Sequence, residues 1–188
     1  MCALFKNRYV IGSKRYQGFD YSSHGKYFIT ICTKNREQYF GKIENGVMFL
    51  SELGKLLQNE WLKTPDIRPD MNIILDEFVI MPDHFHAIII IGENQYNQNK
   101  IQAHRGNVMH DVSTTNQNNN YHNEFGPQLK NLSSVIRGIK SVETVNEKKS
   151  KQNFQWQSRF HDHIIRTNNE LIRIRKYIKD NPQKWKSD

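Results

Sequence analysis

The sequence predicts an α+β fold, a ferredoxin-like antiparallel sheet with helices packed on one of its faces. Three observations carry this. Runs rich in β-branched and aromatic residues alternate with amphipathic helical stretches in the order β, α, β, β, α, β, α. The two middle strands are joined by a turn too short for a crossover, so they pair antiparallel. The chain has 188 residues and no internal repeat, which is one domain at roughly 100–200 residues per domain.

Residues 1–25 are basic and aromatic without helical period and read as an irregular N-terminal arm. Tyr27 to Thr33 is the first strand by composition, and Lys34-Asn35-Arg36 is its polar end. A short hairpin follows, with Asn45-Gly46 as its turn. Ser51 to Lys63 carries Leu53, Leu56, Leu57, Trp61 and Leu62 near the 3.6 period, with Ser51 as N-cap and Pro65 as the stop. The second and third strands are 72–81 and 84–91.

Residues 92–126 change character. They hold thirteen Asn and Gln among 35 residues and read as a long polar loop inserted into the domain. Leu132, Val135, Ile136, Ile139 and Val142 then mark one face of a helix, with Arg137 and Lys140 off that stripe. Phe154 to Ile165 reads as a strand or extended segment. The last helix opens on Thr167-Asn168-Asn169-Glu170, a capping box, and Pro182 ends it near Asn181.

Composition narrows the function. Lys and Arg number 27 against 19 Asp and Glu, for a net charge of +8 with 11% aromatics, and the pI is near 9.5. A polyanion such as nucleic acid suits that balance. Two cysteines, Cys2 and Cys32, exclude a disulfide framework and a Cys-based zinc finger. The longest clean apolar run, Ala87 to Ile91, falls far short of the ~20 residues of a membrane span. With no signal-peptide core at the N-terminus, the expected location is the cytoplasm. There is no Gly-rich phosphate loop and no G-x-S-x-G elbow.

Two constellations remain. In a strand, residues i and i+2 share a face, so His84 and His86 stand side by side at a spacing that suits one metal ion. Their frame is apolar, and polar rings there need partners. Tyr177 and Asn181, four apart, lie about 40° from each other around the last helix. On the helix alone, Tyr177 reads as a core tyrosine and Asn181 as a structural residue at the helix C-terminus. His161 and His163 form a second H-x-H pair, which with the first would suit a zinc or iron hydrolase.

Met81 to Ile88 (MPDHFHAI) resembles the histidine–hydrophobe–histidine signature of the HUH endonuclease superfamily. Tyr27 to Arg36, Leu132 to Lys140, Trp156 to Arg166 and Tyr177 to Pro182 resemble, in this order, the single-tyrosine transposases, in the branch with the REP-associated tyrosine transposases. The resemblance implies His84, His86 and Asn181 as metal ligands for Mg2+ or Mn2+ and Tyr177 as nucleophile. It implies single-stranded or hairpin DNA as partner, a 5′-phosphotyrosine intermediate, and a homodimer as one expected assembly. DNA contacts are expected from the N-terminal arm and from Lys34, Arg36, Arg137, Lys140, Arg159 and Arg166. Two alternatives stand beside it: a catalytically silent nucleic-acid-binding module of the same fold, and the four-histidine hydrolase.

Overall fold

The computed structural model describes residues 4–5, 8–9, 19–98, 130–150 and 154–185, with side chains for 19–98, 130–141 and 154–185. In chain order the elements are β1 (Leu4–Phe5), β2 (Arg8–Tyr9), β3 (Gly25–Cys32), β4 (Gly41–Glu44), β5 (Val47–Leu50), α1 (Glu52–Leu62) and α2 (Thr64–Ile67). They continue with β6 (Ile73–Met81), β7 (His84–Ile91), α3 (Leu132–Ser150), β8 (His161–Ile165) and α4 (Asn168–Asp180). The expected irregular arm is partly ordered, because β1 and β2 pair as a two-residue antiparallel ladder.

The main sheet has the order β6-β7-β3-β8, with every neighbouring pair antiparallel. Counting only these strands, the order is second, third, first, fourth, the ferredoxin-like arrangement the sequence predicts. The helices are not all on one face, however. Tyr27, Ile29 and Ile31 of β3 and Phe85, Ala87, Ile89 and Ile91 of β7 pack with Leu53, Leu57 and Trp61 of α1 and Leu132, Val135, Ile136 and Ile139 of α3. Phe28, Ile88 and Ile165 face the other way and pack with Leu171, Ile174 and Ile178 of α4. A strand covered on both faces has no polar side to alternate with, which is why β7 reads as the unbroken run Ala87 to Ile91.

Local chemistry sets the joints. The Asn45-Gly46 turn has φ of 52° and 77°, the left-handed pair that a two-residue hairpin requires. Ser51 Oγ accepts from the Gly54 N–H at 3.1 Å and donates to the Tyr39 carbonyl at 2.7 Å, capping α1 and tying it to the preceding loop. Lys34 to Arg36 is a tight turn rather than a strand end, with Asn35 at φ 56° and Arg36 at φ 61°.

The segment 154–165 is a strand only from His161. Thr33 bridges Trp156 and Thr30 pairs with His161, so the chain bulges out between the two pairings. The start of the polar loop is also built in. Asn94 donates to the Met71 and Gly92 carbonyls, each at 3.0 Å, and Asn97 donates to the Ser22 carbonyl at 3.1 Å. Tyr96 Oη donates to Asp70 at 2.7 Å, and Lys130 pairs with the same carboxylate while lying 5.6 Å from the Tyr96 ring centre. The rest of the expected insertion, 99–126, lies outside the described residues.

Gly54 shows packing overriding propensity. A Cβ there would meet the Phe40 carbonyl oxygen at 2.3 Å and Leu50 Cδ2 at 3.1 Å. Replacing a helical Gly by Ala ordinarily stabilises by about 1 kcal/mol. Here we expect Gly54→Ala to destabilise by about 1–3 kcal/mol, read from the urea midpoint. A stabilised variant would show that α1 can lift off Phe40 without cost.

Candidate functional site

β7 places His84 and His86 on the face that α4 covers. Their rings are 4.5 Å apart and nearly perpendicular, and the residues are only 5% and 6% exposed. Such burial demands partners for the ring nitrogens, and the structure supplies them for both Nδ1 atoms and for His86 Nε2. His84 Nδ1 bonds Asp83 Oδ1. A carboxylate only accepts, so this nitrogen carries the proton and Nε2 keeps its lone pair. Asp83 Oδ2 takes Arg36 Nε at 2.7 Å, and an Arg36 terminal nitrogen lies 3.5 Å from His84 Nδ1. His86 Nδ1 is 2.8 Å from Thr30 Oγ1.

Tyr177 reaches the pair from α4. Its Oη is 3.2 Å from His86 Nε2, with ring centres 5.3 Å apart. With the phenol donating to Nε2, Nδ1 is the nitrogen that donates to Thr30. Phe28 stacks on His86 at 5.4 Å and meets Tyr177 edge-on at 6.1 Å. Tyr177 lies on the flank of the Leu171, Ile174 and Ile178 stripe and is 45% exposed.

Two ion pairs fix the helix that carries it. Arg175 forks onto both oxygens of Asp76 at 2.8 and 2.6 Å, and Lys179 pairs with Glu77 at 2.9 Å. Asp76 and Glu77 occupy the register shift between Leu75 and Phe78 of β6. The Arg175 guanidinium holds the Asp76 carboxyl below its ordinary pKa. At the other end of α4, Thr167 Oγ1 accepts from Glu170 N at 3.2 Å. Glu170 does not close the expected box; it accepts from Arg166 N at 2.9 Å and bonds His163 at 2.7 Å.

Asn181 is the half-buried C-cap of α4. It stands four residues after Tyr177 and four before Trp185, whose ring centre is 5.9 Å from that of His84. It therefore sits along the chain between the residue that meets His86 and the residue that meets His84.

The donor set fits a divalent metal. Both Nδ1 atoms are engaged by an oxygen group, the usual arrangement behind a ligating histidine, and both Nε2 atoms keep their lone pairs for the ligand side. The four-histidine alternative is not formed. His163 is taken by Glu170, and β3 lies between β7 and β8, which puts His161 two strands from His86, about 10 Å. Among the described residues, no group of three or more His, Cys, Asp or Glu could hold a metal ion.

The expected DNA-contacting cations divide. Lys34 and Arg36 lie in the turn beside Asp83. Arg137 is exposed on α3, behind the sheet from the histidines. Arg159 and Arg166 are exposed on either side of β8. Lys140 is turned inward: it donates to the Gln157 and Arg159 carbonyls at 2.7 and 3.2 Å and lies 5.7 Å from the Trp156 ring centre. Burial lowers its pKa to about 8. The described residues of the N-terminal arm before Phe19 are backbone only.

Sequence reasoning passed over Asp83 and Thr30. Asp83 could have been singled out as a carboxylate next to a histidine in an apolar hairpin. Thr30 depends on the β3–β7 register, which places it opposite His86 and which composition does not encode.

Burial, then the charges of His84, Arg36 and His161, lowers the His86 pKa from 6.5 to about 3. The unfolded chain takes up the extra proton first, so this contribution to stability is complete above pH 6.5 and is lost as pH falls toward 3. The slope is at most about 1.4 kcal/mol per pH unit. We expect the urea midpoint of metal-free protein to fall from pH 6.5 to pH 4. A flat midpoint across that window would contradict a buried neutral His86.

No model of a known protein family matches the chain. An uncharacterized protein of Haemophilus influenzae is 34% identical over 177 residues, covering 94% of this chain and 90% of that protein. Among solved structures, a REP-associated tyrosine transposase bound to a REP hairpin is similar with a TM-score of 0.57 and 20% identity, over 93% of this chain and 74% of that one. The resemblance in sequence to the single-tyrosine transposases is thus matched at the level of the fold. The chain belongs to one family with the Haemophilus influenzae protein, and its fold is that of the REP-associated tyrosine transposase.

Proposed function

We propose that the protein is a DNA transposase that cleaves and rejoins single strands, with Tyr177 as the nucleophile. The observation that carries this reading is the approach of Tyr177 Oη to within 3.2 Å of His86 Nε2, beside His84, where both imidazoles are buried. The hairpin-bound state of the structural relative supports single-stranded or hairpin DNA as the partner.

His84, His86 and Asn181 would hold a divalent ion, Mg2+ or Mn2+. Such an ion supplies Lewis-acid polarisation of a phosphate and compensation for its developing charge. The chain's own residues do the rest. Asp83 and Thr30 orient the two imidazoles through their Nδ1 atoms. Tyr177 gives up its bond to His86 Nε2 and turns its oxygen to the phosphorus. Its exposed position lets it do so without disturbing the core. The Tyr–O–P bond forms as the P–O3′ bond breaks, and the phenol loses its proton to solvent while O3′ takes one up, leaving a 5′-phosphotyrosine and a 3′-hydroxyl. The bond energy is kept in the covalent intermediate, so a later 3′-hydroxyl reseals the strand without ATP. A phenol of pKa about 10 is only ~0.1% ionised at pH 7, so the reaction depends on charge compensation at the phosphate. Arg36, paired with Asp83 but half-exposed, is placed to add to it.

Two experiments test the reading. Mixing the protein with labelled single-stranded hairpin DNA and Mn2+ should give a species on denaturing gels shifted by the mass of the protein. EDTA and Tyr177→Phe should each abolish it; an adduct that survives Tyr177→Phe means another nucleophile. Calorimetric titration with Mn2+ tests the histidine pair. Asp83→Asn keeps the shape but weakens the acceptor, and affinity should drop about 10–100-fold. Unchanged affinity would remove Asp83 from the centre.

A further inference from the structure

A cleft of about 560 Å3 opens beside the histidine pair, lined by residues 33–36 and by the segment 155–158 that is bonded to them. Its size is that of a small-ligand site. We propose that this cleft seats the unpaired nucleotide flanking the cleaved phosphate, with Lys34 and Arg36 on the backbone and the amides of Asn35, Gln155 and Gln157 on the base edge. The inference rests on the single-strand reading of the centre and names the part of it that selects sequence.

Four observations support it. First, the cleft and the centre share a residue. Arg36 lines the cleft, meets the Asp83 carboxylate at 2.7 Å and comes within 3.5 Å of His84 Nδ1. Thr33, also in the lining, donates its N–H to the Asp83 carbonyl at 2.9 Å.

Second, the wall chemistry matches a nucleotide. Cations meet phosphate, and carboxamides pair with base edges, offering a donor and an acceptor on one plane. Asn35, Gln155 and Gln157 are exposed. Lys34 Nζ bonds Gln155 Oε1 at 2.7 Å, which fixes that amide with its two N–H donors pointing elsewhere.

Third, the walls are preorganised. Asn35 and Arg36 hold consecutive left-handed conformations, φ 56° and 61°. Two adjacent non-glycine residues in that region are costly and persist only where the surroundings fix them. Backbone bonds do so from the paired segment: Lys34 N to Gln155 O at 2.8 Å and Gln157 N to Cys32 O at 2.9 Å. Lys140 braces that segment through the Gln157 carbonyl at 2.7 Å. This gives the inward lysine a part in the site without contact to DNA.

Fourth, no acidic side chain stands in the lining. Asp83, which Arg36 joins to the cleft, is already paired with Arg36 and His84.

The test uses the full-length chain and short single strands carrying 4-thiothymidine at successive positions, crosslinked by light and mapped by peptide mass spectrometry. Crosslinks within 33–36 or 155–158 from the position adjoining the cleaved bond are the expected result. Crosslinks confined to other peptides overturn the inference, and no crosslink anywhere overturns it as well. The Tyr177 adduct is scored in the same samples. An adduct without cleft crosslinks leaves the single-strand reading standing and removes only the cleft. A second measurement compares binding of dA, dC, dG and dT decamers by fluorescence anisotropy. Replacing both Gln155 and Gln157 by Ala should shrink the ratio between best and worst base about tenfold. Lys34→Ala should weaken all four alike and lower the salt slope by about 0.7. A double-Ala variant that keeps the wild-type ratio shows that the amides do not read the base.

Discussion

The buried carboxylate of Asp83 joins parts of the chain that are far apart in sequence. Its side chain accepts from His84 on one oxygen and from Arg36 on the other. Its backbone carbonyl takes the Thr33 N–H. The group is only 4% exposed, and a carboxylate so placed is tolerable only with its charge and lone pairs met. That requirement positions the turn after β3, fixes the tautomer of His84 and holds Arg36 beside the histidines. One desolvated acid thus sets the ligand geometry, the local positive charge and the mouth of the neighbouring cleft together.

The two-sided sheet is the second constraint. Alternation along β7 assigns Phe85, Ala87, Ile89 and Ile91 to the α1–α3 layer and leaves His84, His86 and Ile88 for α4. The large apolar layer supplies most of the burial. The smaller layer under α4 holds few aliphatic contacts, and the helix is supplemented there by the Asp76–Arg175 and Glu77–Lys179 pairs. Division of labour between faces lets one side of the sheet carry polar groups while the other is a continuous hydrocarbon core.

Much of this is legible in the amino-acid sequence. Strand composition, the Ser51 and Thr167 caps, the Asn45-Gly46 turn and the His84/His86 spacing are all local signals, and each matches an observed element. The sheet face taken by α4 was not legible. An amphipathic helix announces its own apolar stripe but not which side of the sheet receives it. The buried roles of Asn94 and Asn97 escaped for a related reason: amides in a polar stretch look solvated until their backbone partners at Met71, Gly92 and Ser22 are known. Lys140 looked like a surface cation because helical periodicity places it off the apolar face, yet its long side chain reaches the carbonyls of the 154–160 segment.

The meeting of two distant residues on Asp70 has a thermodynamic consequence. Tyr96 and Lys130 reach one carboxylate, so two points far apart in the chain are held together. The entropy cost of joining two such points rises by only about 0.6 kcal/mol for each doubling of the number of residues between them. The Asp70 contact therefore makes the cost of folding only weakly sensitive to that number.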